Sequence, residues 1–167
     1  MARRHIHYEA AFEDYLRSQG IAYIPVDESK KAIFAGARVK SFDFLVYRKP
    51  GETWLVDVKG RKFPYDTPGN RRYWENWLPQ TDIDGLTQWQ KVFGDGFVAM
   101  IVFAYHLLGP EDKQPTAHVH PYRGQYYAFL AVPVERYAQH ARPRSASWQT
   151  VTVPAGKFRE LAQPVQT

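Results

Sequence analysis

Residues 39–60 read VKSFDFLVYRKPGETWLVDVKG, and the fold turns on how this stretch pairs with itself. Two runs rich in β-branched and aromatic residues flank Pro50-Gly51, the pattern of an antiparallel hairpin. Side chains alternate along a strand, so Ser41, Asp43, Leu45 and Tyr47 share one side of the first arm. Leu55, Asp57 and Lys59 share one side of the second. With Arg48 to Glu52 as the loop, the pairing is symmetric about Pro50. Asp43 then falls opposite Asp57, and Lys59 lies one pleat beyond. Directly opposed Cβ atoms are roughly 4.5–5.5 Å apart, a separation at which like charges repel. A divalent cation between the two aspartates is the simplest remedy. A slip of one residue would take Asp43 out of opposition and loosen the site.

Upstream, His5 to Gln19 carries Tyr8, Ala11, Phe12, Tyr15 and Leu16 at helical spacing and is closed by Gly20. At about 100° per residue Glu9 falls at the margin of this apolar stripe, while Glu13 and Asp14 point outward. Ile21 to Val26 reads as a short strand, and Lys30 to Arg38 as an unassigned connection into the hairpin. Downstream, Gly60 to Gly85 is basic, aromatic and broken by three prolines, and reads mainly as loop. A helix is expected over Gly85 to Phe93, capped by Asp84, with Leu86, Trp89, Val92 and Phe93 inward. Phe97 to Leu108 is apolar enough for a buried central strand. A strand at Gln125 to Val132, a short helix at Glu135 to His140 and a last strand at Thr150 to Val153 complete the chain. The sum is an α/β fold, a mixed sheet flanked by helices. One domain is expected, with a core over about residues 5–105 and an extension of the sheet over about 106–167.

The composition narrows the chemistry. With 167 residues, 44% of them hydrophobic, the chain can bury a sizeable core. The absence of cysteine excludes disulfides, thiolate metal sites and cysteine nucleophiles, and is compatible with a reducing cytosol. No apolar run reaches membrane-spanning length, and the start, MARRHIHYEAAFEDYL, lacks a signal-peptide core, so a cytoplasmic location is expected. A net charge of +5 suits a polyanionic partner, and nucleic acid is preferred to an anionic membrane because no basic amphipathic helix is evident. No nucleophile elbow and no phosphate-cradling glycine loop occurs.

Glu9, Asp43, Asp57 and Lys59 together make a sensible hydrolytic site. Two or three carboxylates suit Mg²⁺, which keeps open positions for water and substrate oxygens. Val58, between Asp57 and Lys59, offers a backbone carbonyl as a further ligand. The lysine can orient or help deprotonate the attacking water, or neutralise charge on a phosphorane-like transition state. A bare D-x-K commonly marks a solvated ion-pair network on a strand. Its place on an aromatic-rich hairpin, opposite an acid and after a helix bearing a glutamate, raises its weight.

These residues, Glu9 on the first helix, then Asp43, then Asp57-Val58-Lys59, resemble the PD-(D/E)xK nuclease superfamily. In order and spacing they are most similar to small archaeal Holliday junction resolvase-type endonucleases. The resemblance covers about residues 5–105, and Phe42 stands where the superfamily motif has proline. It implies a restriction-endonuclease-like core, carboxylates that bind Mg²⁺ with Mn²⁺ as a substitute, Lys59 as the catalytic lysine, DNA as substrate and a homodimer. Some members carry a glutamine on the next helix; Gln88 or Gln90 would fill that place, with Gln88 preferred. The alternative is a non-catalytic nucleic-acid or protein-binding module that keeps the fold.

Arg61, Lys62, Arg71, Arg72, Tyr73, Trp74 and Trp77 interleave cations and aromatics just after the motif. They suit phosphate contacts and base stacking, although the tryptophans equally suit core anchorage. His118 and His120 lack a third ligand and read as an edge-strand pair; His5 shares the side of Glu9. Arg142, Arg144, Ser145, Ser147 and Trp148 form a second basic cluster.

Overall fold

The computed structural model describes residues 6–26, 32–34, 37–110, 114–115 and 118–165; His5 lies outside them. The chain opens with α1 (Ile6–Ser18), β1 (Tyr23–Pro25), β2 (Ala32–Phe34) and β3 (Ala37–Val39). The hairpin strands β4 (Phe44–Lys49) and β5 (Glu52–Phe63) follow. Next come β6 (Tyr65–Thr67), β7 (Asn70–Arg72), β8 (Leu78–Pro79), α2 (Gln80–Phe93) and β9 (Phe97–Leu107). The last third holds β10 (His120–Tyr122), β11 (Gln125–Pro133), α3 (Val134–His140), β12 (Arg142–Ser145), β13 (Thr150–Thr152), α4 (Ala155–Leu161) and β14 (Gln163–Pro164).

The hairpin has the expected register: Phe44 faces Val56, Leu45 faces Leu55, Val46 faces Trp54 and Tyr47 faces Thr53. Its loop is tighter than the five residues expected, because Lys49 already faces Glu52 and the register shifts by one after Tyr47. Pro50 presets the first corner of the turn, and Gly51, at φ 83°, takes a left-handed conformation that a side chain would disfavour. Arg48 becomes the extra residue of a bulge, its guanidinium 4.5 Å above the Trp54 ring.

β5 then joins β9 in parallel, from Thr53 against Phe97 to Phe63 against Leu107. A parallel join needs a long crossover, which here runs through β6, β7, β8 and α2. The resulting mixed sheet has the order β1-β4-β5-β9-β11-β10, with β14 also on β11. β9 is buried through its centre, as a strand covered on both faces should be. Alternation divides its side chains. Met100, Val102 and Ala104 pack with Tyr8, Phe12 and Leu16 of α1. Ile101, Phe103 and Tyr105 pack with Ile83 and Leu86 of α2, Tyr137 of α3 and Phe158 of α4.

Three expectations need correction. The basic stretch after Lys59 is not mainly loop: β5 continues to Phe63 because β9 supplies a backbone partner for each residue from Gly60 to Phe63. The helix expected from Gly85 starts at Gln80, and Asp84 lies inside it, accepting a hydrogen bond from Gln80 Nε2 at 3.1 Å. Its N-cap is Pro79, which has no capping side chain. The earlier start sets the helical phase by Asp82, Ile83 and Leu86, and leaves Val92 and Phe93 exposed.

The last third extends the sheet through β10, β11 and β14, but β12 and β13 form a separate sheet with β8. Asn76, buried between β7 and β8, ties these parts together. Its Nδ2 donates to the carbonyls of Trp74 at 3.0 Å and Val153 at 2.9 Å. Its Oδ1 accepts from the Val153 amide at 2.9 Å and Thr152 Oγ1 at 3.1 Å, and its carbonyl accepts from the Tyr137 hydroxyl at 2.7 Å.

Candidate active site

β5 outruns β4. The β4 ladder stops at Phe44 against Val56, and Asp43 sits in a bend just before it. The Asp43 amide donates to the Val56 carbonyl at 2.8 Å, and its carbonyl accepts from Val26 at 2.9 Å. Its Oδ2 accepts from the Val58 amide at 2.6 Å, so a carboxylate takes the place of the missing strand. The register carries Asp43 towards Asp57 as expected, but the Asp43 side chain is turned onto the backbone. Val58 takes part here through its amide.

Asp57 and Lys59 share the face covered by α2, one pleat apart, with Lys59 Nζ 3.0 Å from Asp57 Oδ2. α2 adds an acid that the sequence reading did not single out. Asp82, in its first turn, lies 2.5 Å from Lys59 and also pairs with Lys40 at 2.8 Å. The charges form a chain, Asp57–Lys59–Asp82–Lys40, in which both aspartates are buried and Lys40 is exposed. The signal for Asp82 was available: Asp82, Ile83 and Leu86 share a helix face once the helix is started at the proline.

The electrostatics separate the two acids. Burial pushes the Asp57 carboxyl up, with the Asp82 charge adding to it, and the Lys59 ammonium only partly opposes this. Burial would raise Asp82 as well, but Lys59 and Lys40 outweigh it and hold that carboxyl below its usual range. For Lys59, burial favours the neutral amine, yet the two carboxylates overcome it and raise its pKa. Lys59 therefore stays an ammonium. Held between two carboxylates, it suits charge neutralisation.

The Oδ2 atoms of Asp57 and Asp82 are buried and accept no well-directed hydrogen bond, although Lys59 lies against both. Hard oxygens in that condition fit a divalent cation, which in the case of Mg²⁺ often takes only one or two carboxylates and fills the rest with water and phosphate. Among the described residues, no group of three or more His, Cys, Asp or Glu side chains is gathered closely enough to hold a metal. Glu9 is accordingly not brought together with Asp43 and Asp57. The reason is topological: α1 packs on the opposite face of the sheet, where the Tyr8 ring lies over Gly60. Gln88 is exposed, six residues and so about 240° around the helix from Asp82. Gln90 turns inward but accepts from the Ala99 amide at 2.7 Å.

The four cations named for nucleic acid differ in setting. Lys62, Arg71 and Arg72 are exposed, with Arg71 3.3 Å from Asp66 and Arg72 3.6 Å from Glu75. Arg61 is buried, its guanidinium 4.1 Å from the Trp77 ring centre. Trp74 serves the core, packing edge-on against Phe63 and Tyr105. His120 is taken up by Asp14 at 2.7 Å rather than by a site shared with His118. Among the described residues, no helix is long and apolar enough to cross a membrane.

No protein-family model and no curated protein matches the sequence. The fold does have a solved counterpart in Archaeoglobus fulgidus Hjc, a Holliday junction resolvase from an archaeal hyperthermophile. The likeness covers 95% of this chain and 94% of that chain, with a TM-score of 0.54 and 14% sequence identity. The chain therefore has the restriction-endonuclease-like fold, a mixed central sheet flanked by helices. At that identity the likeness is one of fold.

Proposed function

We propose that the chain is a metal-dependent endonuclease that hydrolyses DNA phosphodiester bonds, with a preference for DNA structure rather than sequence. The observation that carries this reading is the Lys59 ammonium held between buried Asp57 and Asp82, with Asp43 on the amide of the intervening Val58, on the strand that outruns its neighbour. The fold shared with a Holliday junction resolvase agrees with it. Asp43 and Asp57 would hold Mg²⁺ or Mn²⁺, which when bound polarises a phosphate oxygen and lowers the pKa of water. Asp82 acts through Lys59: it keeps the amine protonated and fixes its direction. Lys59 then places a fixed positive charge where the transferring phosphoryl group gains negative charge, in a site too buried for water to screen it. Glu9 remains a candidate third acid only if the first helix shifts when metal or DNA binds.

A cleavage screen tests this directly. Single-stranded, duplex, flap and four-way-junction DNA are incubated with Mg²⁺ or Mn²⁺ and the intact chain, beside Asp57→Ala and Lys59→Ala. Branched substrates should be cut by the unaltered protein and by neither variant. Equal cleavage by all three proteins would sink the mechanism. The lack of a three-ligand group among the described residues favours a second reading, a nucleic-acid-binding module without catalysis. Under that reading Mn²⁺ titration shows no binding that depends on Asp57, and no substrate is cut.

A further inference from the structure

Past Lys59 the edge of β5 that β4 has left opens onto a cavity of about 770 Å³. Gly60 and Tyr8 line it on one side, and Arg61, Trp77 and Arg144 on another. A Cβ on Gly60 would lie 2.0 Å from the Tyr8 ring, so the bare backbone there is what lets the ring sit beside the cavity.

Arg61 is the odd member. It is 8% exposed, yet among the described residues no carboxylate forms an ion pair with it. Nη1 donates to the Gly60 carbonyl at 2.7 Å and Nη2 donates to the Trp77 carbonyl, while Nε is buried with no acceptor. A buried guanidinium with an orphaned donor is costly unless an anion completes it. Glu75 acts on Arg61 only at a distance. Glu75, the acid of the cavity, pairs with Arg72 at 3.6 Å, and Lys62 and Arg144 add further positive charge. Arg144, reaching in from β12, lies 5.0 Å from the same Trp77 ring. Tyr65, which also lines the cavity, leaves 45% of its surface exposed. Lys59 and Arg61 lie on the same side of β5, two residues and so about 6.6 Å apart along the strand. That is comparable to one nucleotide step in an extended strand.

We propose that this cavity is a phosphate subsite for a single nucleic-acid strand, holding on Arg61 the phosphate next to the one at Lys59, with its unpaired base against Tyr65. The subsite rests on the nuclease reading for the identity of its polyanion. Binding without catalysis tests it separately. Fluorescence anisotropy of the full chain in EDTA is measured with labelled single-stranded oligonucleotides carrying no terminal phosphate, a 5′-phosphate or a 3′-phosphate. Arg61→Gln should weaken binding about 10-fold, and Tyr65→Ala about 5-fold. Lys91→Gln, on the exposed side of α2, should leave affinity unchanged. Equal affinity for the three oligonucleotides identifies an internal phosphodiester as the occupant; tighter binding of a phosphorylated end identifies a strand terminus in the same subsite. If Arg61→Gln does not fold, Arg144→Gln and Tyr65→Ala, both at exposed positions, decide. Unchanged affinity in the folded variants overturns the subsite. Cleavage with unmoved affinities refutes the subsite alone, and weakened affinities with no cleavage of any substrate refute the catalytic reading alone.

Discussion

The two halves of β5 are one continuous strand with opposite chemistry. From Thr53 to Val56 it is paired on both edges, to β4 and to β9, and Leu55 and Val56 are fully buried. From Val58 to Phe63 only β9 remains as a strand partner. The free edge is held by side chains instead, Asp43 on the Val58 amide and Arg61 on the Gly60 carbonyl. Where a second strand is present the buried residues, Leu55 and Val56, are apolar. Where it has left, the strand carries Lys59 and Arg61, with Asp57 at the changeover. A backbone edge withdrawn from a sheet leaves polar groups to be satisfied, and satisfying them with charged side chains builds a site.

The comparison can be broken from either half. The largest expected effect is on the charged half: Lys59→Ala should lower cleavage by about 10³-fold while circular dichroism shows an unchanged fold. Leu55→Ala, in the doubly paired half, should cost about 3 kcal/mol in urea unfolding and spare the specific activity of the protein that remains folded. Gly60→Ala should cost about 2 kcal/mol by driving a methyl group into the Tyr8 ring. Combined with Tyr8→Ala it should cost less than the two separate losses added together, which a double-mutant cycle reads. The smallest change in stability is expected from Asp57→Asn. Burial already disfavours its ionised form, and Lys59 keeps Asp82, so the melting temperature should stay within a few degrees or rise while cleavage is lost. A clear fall in melting temperature for Asp57→Asn would show Asp57 to be a structural ion-pair partner.

The legible parts of this chain were those encoded over short distances. The hairpin register followed from Pro50-Gly51 and strict alternation, and it held even though the loop closed differently. β9 was plain from its unbroken apolar run. What stayed hidden depended on partners far along the chain. The charged end of β5 looks like loop until a parallel strand more than forty residues later is laid beside it. Asp82 was missed because its helix starts at a proline with no capping side chain, which left Asp84 as the visible but wrong start signal. Glu9 was placed by its angle on the helix, and that angle does not specify which face of the sheet the helix will cover. The small sheet of β12, β13 and β8 consists of strands of two to four residues, too short for any periodicity to stand out.

Asn76 gives the assembly of the molecule an order. Its bonds to Val153 span 77 positions of sequence, and through it the segment that carries Trp77 is anchored to a part of the chain made much later. The hairpin that brings Asp43 towards Asp57 needs only neighbouring residues to form, whereas the Trp77 wall must wait for the closure of a long loop. During synthesis Asp43 and Asp57 would thus meet well before the basic cavity nearby is complete. A partly made chain would hold its paired aspartates without the basic cavity nearby.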